Sequence, residues 1–207
     1  MKFTILTLFP EMFDGPFDSS IIKRAKMQGK ISIDFINIRD FAIDKHKSVD
    51  DHPYGGGPGM ILRVDVIDKA LKKLKGKKVL LDPTGLKYAQ SKAREYSKLE
   101  HLILVSGHYE GVDARIDELV DEKISIGDYV LTGGEIPAMV IVDSITRLLP
   151  GVLKKEEATQ SESFTQDGVL EYPQYTRPKS YKGKKVPDIL ISGDHKKIAA
   201  WRASHRK

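Results

Sequence analysis

Cysteine is absent from the 207-residue chain. Disulfides, thiolate-held zinc, iron–sulfur clusters and cysteine nucleophiles are therefore excluded. No apolar run approaches the ~18 residues of a membrane span. Met1 to Pro10 lacks the basic region and long apolar stretch of a secretory signal. A soluble, cytoplasmic protein is the simplest reading. Two phosphate-binding signatures are also missing. There is no Gly-x-x-x-x-Gly-Lys-Ser/Thr, and Gly55-Gly56-Gly57-Pro58-Gly59 fails the dinucleotide pattern because Met60 follows it.

What is present is an ordinary globular composition, 40% hydrophobic and 30% charged, which rules out disorder. The formal charge of +5 is unevenly spread. Residues 1–150 carry 22 basic and 22 acidic side chains, whereas residues 151–207 carry 12 and 7. A basic final quarter suggests an anionic partner, nucleic acid being the commonest. A solubilising surface would look the same.

Hydrophobic periodicity supplies the elements. Lys2–Leu8 reads as a buried strand, and Ser19 and Ser20 precede a helix that ends near Met27. Ile31–Ile38 alternates as a second strand. Residues 39–59 are polar and without pattern, a loop long enough to be functional. Val64–Leu74 predicts a helix, Val79–Leu81 a strand broken by Asp82-Pro83-Thr84-Gly85, and Tyr88–Leu99 a helix. His101–Ser106 predicts a strand, Val112–Val120 a short helix, and Lys123–Ile126 a strand. Glu135–Leu149 predicts a long amphipathic helix, with Pro137 in its first turn. This alternation implies an α/β fold with a largely parallel sheet. Beyond Pro150-Gly151, residues 151–182 read as a polar linker, and His195–Ser204 as a basic helix carrying Trp201.

Three glycine-containing loops follow strand candidates: Asp82–Gly85, Gly107–Gly111 and Gly127–Gly134. In parallel sheets ligands bind beyond the carboxyl ends of the strands, so the three could close on one small molecule. Each alone is equally readable as turn punctuation. Apart from His108 they carry no basic residue, which favours a neutral or cationic nucleoside over a polyphosphate.

Read together, several strings resemble one family, the bacterial tRNA (guanine-N1)-methyltransferases of the TrmD type, in the SPOUT superfamily. They are Leu8–Phe13, Val49–Met60, Gly107–Asp113, Ser125–Met139, Tyr175–Pro178 and Ile191–His195, followed by Trp201-Arg202. They occur in the family's order across nearly the whole chain. The resemblance implies a C-terminal deep trefoil knot in the mostly parallel sheet, an arrangement that general topology rules hold to be rare. It implies a methyl-donor domain over 1–158, an interdomain linker over 159–180, and a short basic tRNA-binding helical segment over 181–207, shorter than is usual in the family. It also implies a homodimer with shared active sites, S-adenosylmethionine as methyl donor, Mg²⁺ as a possible companion, and tRNA as substrate. The reaction would be methylation of N1 of the guanosine just 3′ of the anticodon. Alternatives are a non-catalytic RNA-binding relative or an RNA methylase acting at another position.

That chemistry needs a base near N1, a cation or donor near O6, and an aligned methyl. By resemblance the base is Glu162, in Glu162-Ser163-Phe164 where the family has Asp-Ser-Phe; Glu157 and Asp167 are rival carboxylates. Arg147 matches the family's catalytic arginine, although a cation at a helix C-terminus also offsets the dipole. For the donor, the resemblance assigns Leu81, Asp82 and Pro83; Gly107, Tyr109, Glu110 and Gly111; and Ile126, Gly127, Tyr129, Leu131, Gly133 and Gly134. Glu110 is the acid placed to attract a sulfonium or a hydrated Mg²⁺. Lys45, His46, Lys47, His52 and Arg177 are candidate RNA contacts. His46 and His52 have no third ligand near in sequence, so no protein-held metal is expected.

Overall fold

The computed structural model describes residues 1–154, 159, 162–166 and 168–207. The chain divides into two compact units, Met1–Lys154 and Lys155–Lys207.

The first unit is built on five strands: β1 (Lys2–Thr7), β2 (Ser32–Asn37), β5 (Lys77–Lys87), β6 (His101–Ser106) and β7 (Glu122–Ser125). Their order is β2-β1-β6-β5-β7 and every pairing is parallel. The expected α/β fold with a largely parallel sheet is borne out. Strands buried on both faces read as continuous apolar runs, and the period of two sorts their side chains. Phe3, Ile5, Val79, Leu81, Leu102 and Leu104 enter one core cluster. Leu6, Leu80, Ile103 and Val105 enter another. The first cluster takes in residues of α1 (Ser20–Met27), α3 (Gln90–Tyr96) and α4 (Glu135–Thr146). The second takes in Val66, Ile67, Ala70 and Leu71 of α2 (Val64–Leu71). Each such fully buried side chain contributes about 1.5–3 kcal/mol relative to exposure.

Four local expectations are corrected. Asp82–Gly85 does not end its strand: β5 runs on, and Leu81 and Leu86 both pair with Ile124, so the intervening residues bulge out. Residues 39–59 are not patternless, because Ile38–Phe41 forms a 3-10 turn and β3 (Asp50–Asp51) pairs antiparallel with β4 (Ile61–Leu62). The helix expected over Val112–Val120 is a single 3-10 turn, Ala114–Glu118. α4 also stops at Thr146, and Leu148 and Leu149 continue only as tightened turns onto Ile145 and Thr146. Pro150 follows directly, and the residue before a proline is disfavoured in a helix.

A polar tie joins α3 to the start of β7. The Tyr96 hydroxyl, fully buried, donates to Glu122, and Lys92 Nζ lies 2.8 Å from the same carboxylate. Burial pushes the Glu122 carboxyl up, but Lys92 and Tyr96 outweigh it and hold the group below its usual value.

The second unit contains a two-strand ribbon, β8 (Ser180–Tyr181) and β9 (Lys184–Lys185), then α5 (Asp188–Ile191) and α6 (His195–Ser204). α6 coincides with the basic helix expected there. Trp201 packs edge-on against Tyr172 and Tyr175 and stacks on His205. Leu170 and Lys207 exchange backbone hydrogen bonds of 2.7 and 3.3 Å. Among the described residues no helix is long and apolar enough to cross a membrane.

Candidate active site

Beside the bulge of β5 and beyond the C-terminal ends of β6 and β7 lies a cavity of about 260 Å³. Its first wall is the β5 bulge, which brings Leu81, Asp82 and Pro83 to the cavity. Asp82 Oδ1 accepts from the Thr84 backbone N–H at 2.8 Å and its hydroxyl at 2.6 Å, so the carboxylate folds its own turn. Gly85 permits the bulge, since a Cβ there would lie 2.4 Å from the Ile124 backbone N.

The second wall is Gly107–Gly111. Tyr109 adopts φ +60° and Gly111 φ +120°, which turns the chain back sharply. The loop is sewn to β4: Glu110 N–H donates to Met60 O at 3.0 Å, and Leu62 N–H to Gly111 O at 3.0 Å. Gly59 lies so close to Glu110 that an added Cβ would sit 2.4 Å from its Cγ. The third wall runs from Ile126 to Gly134. Tyr129 N–H donates to Gly127 O at 3.0 Å, and Gly134 N–H to Gly107 O at 2.8 Å, which ties this loop to the second.

Every residue assigned above to the methyl donor lines this one cavity: Leu81, Asp82 and Pro83; Gly107, Tyr109, Glu110 and Gly111; Ile126, Gly127, Tyr129, Leu131, Gly133 and Gly134. Thr84, His108, Ile124, Ser125, Val130, Thr132 and Pro137 line it too and were missed. Each is a neighbour in sequence of an assigned residue except Ile124 and Pro137. Those two belong to β7 and α4, and only the packing of those elements brings them to the wall. Asp82 and Glu110 supply negative charge, and among the described residues no Lys or Arg lines the cavity.

Arg147 is half-buried at the C-terminal cap of α4 and does not line the cavity. At ~1.5 Å per residue, the 12-residue helix sets it about 18 Å from the cavity end. Glu162 is half-buried in the second unit, with its backbone C=O accepting from Thr165 N–H at 3.4 Å. Glu157 and Asp167 lie outside the described residues. Lys45, His46 and Lys47 are exposed on a tight turn built by Asp44, which accepts from the Ser48 hydroxyl at 2.9 Å. That bond, first among its causes, lowers the Asp44 carboxyl below its usual value. His52 is exposed in the first unit and Arg177 in the second. Among the described residues no group of three or more His, Asp or Glu is placed to hold a metal ion.

The sequence profile of the family described as tRNA (Guanine-1)-methyltransferase TrmD matches residues 1–207. The chain belongs to this family. It is 56% identical to a tRNA (guanine-N(1)-)-methyltransferase of Carboxydothermus hydrogenoformans, over 98% of this chain and 81% of that protein. Proteins of the same description from Dictyoglomus turgidum and Staphylococcus aureus are 54% and 52% identical, again over 98% of this chain and over 83% and 84% of theirs. The resemblance carried by the motif strings is thereby borne out. The strings that carried the resemblance, Gly107–Asp113 and Ser125–Met139, form the second and third cavity walls in this chain.

Proposed function

We propose that this chain transfers a methyl group from S-adenosylmethionine to N1 of the guanosine just 3′ of the anticodon in tRNA. One observation carries the reading: in a TrmD-family chain, three glycine loops close on a single cavity that has apolar walls, two carboxylates and no Lys or Arg among the described residues. A cationic nucleoside fits that charge pattern better than a phosphate does.

S-adenosylmethionine supplies an electrophilic methyl on a sulfonium. The backbone amides and carbonyls of Gly107, Gly111, Gly127, Gly133 and Gly134 would read its adenine edge, and Leu81, Pro83, Ile126 and Leu131 would cover its faces. Tyr109 and Tyr129 would flank it. Asp82 would meet the ribose end with a carboxylate whose Oδ1 already accepts from Thr84. Glu110 would attract the cationic end, and it is the residue to hold a hydrated Mg²⁺, as one ligand among waters and substrate.

Guanine N1 carries a proton at neutral pH. Glu162 would accept that proton, and Arg147 would stabilise the negative charge that moves to O6. Arg147 stands at the end of α4 away from the cavity, which supports a homodimer whose active sites are shared between protomers. The exposed Ile136 and Val140, one turn apart on α4, suit such an interface. The deep knot fits the close passage of Gly134 beside Ser106 and Gly107. Lys45, His46, Lys47, His52 and Arg177, all exposed, would meet tRNA phosphates.

The test is methyl transfer from radiolabelled donor to two tRNA transcripts, one with guanosine 3′ of the anticodon and one with adenosine. Label is expected on the guanosine transcript alone. Arg147→Ala and Glu162→Gln should each lose roughly 10²-fold or more in kcat, the scale of a lost acid–base or charge-stabilising group. Intact donor binding by calorimetry with no label on either transcript would overturn the reading in favour of a non-catalytic RNA-binding relative. Label at any atom other than N1 would move the reaction to another position.

A further inference from the structure

A buried polar layer lies behind the cavity wall, made of residues to which no role has been given. Thr7 ends β1, and Glu135 opens α4 with only 1% of its surface exposed. The Thr7 hydroxyl accepts from the Phe9 backbone N–H at 2.9 Å and donates to Glu135 Oε1 at 2.7 Å. The other carboxylate oxygen, Oε2, lies 3.9 Å from His108 Nδ1. That nitrogen is buried and has no hydrogen-bond partner.

The separation is informative. An N–H···O bond needs about 2.7–3.2 Å. At 3.9 Å the pair is not hydrogen-bonded. Buried polar atoms are rarely left so, because an unmade hydrogen bond is costly away from water. Nor is the gap obstructed. Gly133 passes beside it, and a Cβ there would lie 2.3 Å from Glu135 Oε2 and 2.6 Å from His108 Nδ1. The imidazole is held at ring-contact distance between Phe9, at 4.7 Å, and Tyr109, at 4.8 Å. His108 also lines the cavity, between Gly107 and Tyr109.

We propose that His108 and Glu135 close into a charge-assisted hydrogen bond when the cavity is filled, making His108 a positioning residue for the methyl donor. This rests on the methyl-donor reading of the cavity. A shift of about 1 Å brings Nδ1 within bonding distance. A ligand against the wall expels water, and hydrogen bonding to a carboxylate strengthens in that drier setting. The bond needs its proton on Nδ1, with Glu135 accepting. Once closed, it adds a side-chain tie between the second glycine loop and the start of α4, beside the Gly134–Gly107 backbone bond that already joins the second and third walls. Through Thr7 it also anchors Phe9, which gives the Leu8–Phe13 string a place in the site.

The probe is S-adenosylhomocysteine, titrated into full-length protein carrying ¹⁵N-labelled histidine. The His108 Nδ1 resonance should move from an unbonded position to that of a protonated, hydrogen-bonded nitrogen as the cavity fills. His108→Phe keeps the ring packing but removes the donor. It should weaken S-adenosylhomocysteine binding and raise the KM for the donor by about tenfold, with a smaller change in kcat. His108→Asn places an amide N–H near the Nδ1 position and should recover part of the loss, and Glu135→Gln should abolish the resonance shift. Binding with an unmoved His108 resonance, or unaltered affinity in a folded His108→Phe protein, would overturn the clasp while leaving the cavity's assignment intact. No binding by the wild-type protein would overturn both.

Discussion

A methyl group added to Gly134 would lie 2.6 Å from Ser106 Cα and 3.0 Å from Gly107 N. The residue's φ of −82° is open to any amino acid, so the obstacle is space rather than backbone conformation. Backbone cannot swing aside as a long side chain can. Gly134→Ala should therefore lower stability by about 1–3 kcal/mol, as overpacking does, and weaken donor binding beyond what the fall in melting temperature explains. Thermal melting and calorimetry with S-adenosylhomocysteine check both. A variant with wild-type melting and affinity would mean that the second and third walls are not in fixed contact. Gly133 and Gly134 stand in the sequence as loop punctuation, a reading that fits any turn. Their real constraint is what passes beside them: Ser106 for one, Glu135 and His108 for the other. No spacing rule reveals that, since Ser106 and His108 lie at the second wall, far away in sequence.

At the scale of elements, β7 is a short edge strand whose first residue, Glu122, is held by α3. Tyr96→Phe removes the buried hydroxyl but keeps the ring, and should cost about 1.5–3 kcal/mol, the usual worth of a hydrogen bond to a charged group. The pH dependence has a definite sign. Glu122 titrates below its usual 4.5 in the folded chain. Its ionised form therefore adds stability above the unfolded value, and that contribution is lost as pH falls through the folded one. Urea unfolding from pH 7 to pH 3 should show a smaller acid loss in Glu122→Gln than in the wild type; equal losses would remove Glu122 from the acid response. The elements themselves were largely legible. β1, β6 and α6 are strong local patterns, and the structure keeps their expected positions closely. The β5 bulge was not legible, because Asp82-Pro83-Thr84-Gly85 has turn chemistry and only the partner strand β7 pulls the chain back into register at Leu86.

For the whole molecule, the proposed sharing of active sites makes activity depend on association. Val140→Glu puts a charge on the exposed apolar face of α4, where Ile136 and Val140 are 47% and 41% accessible. It should yield a folded monomer in sedimentation and cut methyl transfer by about tenfold or more, because a buried unpaired charge disfavours the dimer. An active monomer at nanomolar concentration would refute shared sites.

The sequence by itself determined the α/β class and the family, since periodicity is local and the motif strings lie in order along the chain. The family resemblance named the cavity residues, and the rule that ligands bind beyond the strand ends of a parallel sheet grouped their segments. The tertiary structure alone decided the strand order β2-β1-β6-β5-β7, which inserts β6 between two earlier strands. It alone decided that Thr7, His108 and Glu135, up to 128 residues apart, meet in one buried layer. Such meetings depend on which elements become neighbours after collapse, and burial then makes each polar contact stronger than its residues suggest in isolation.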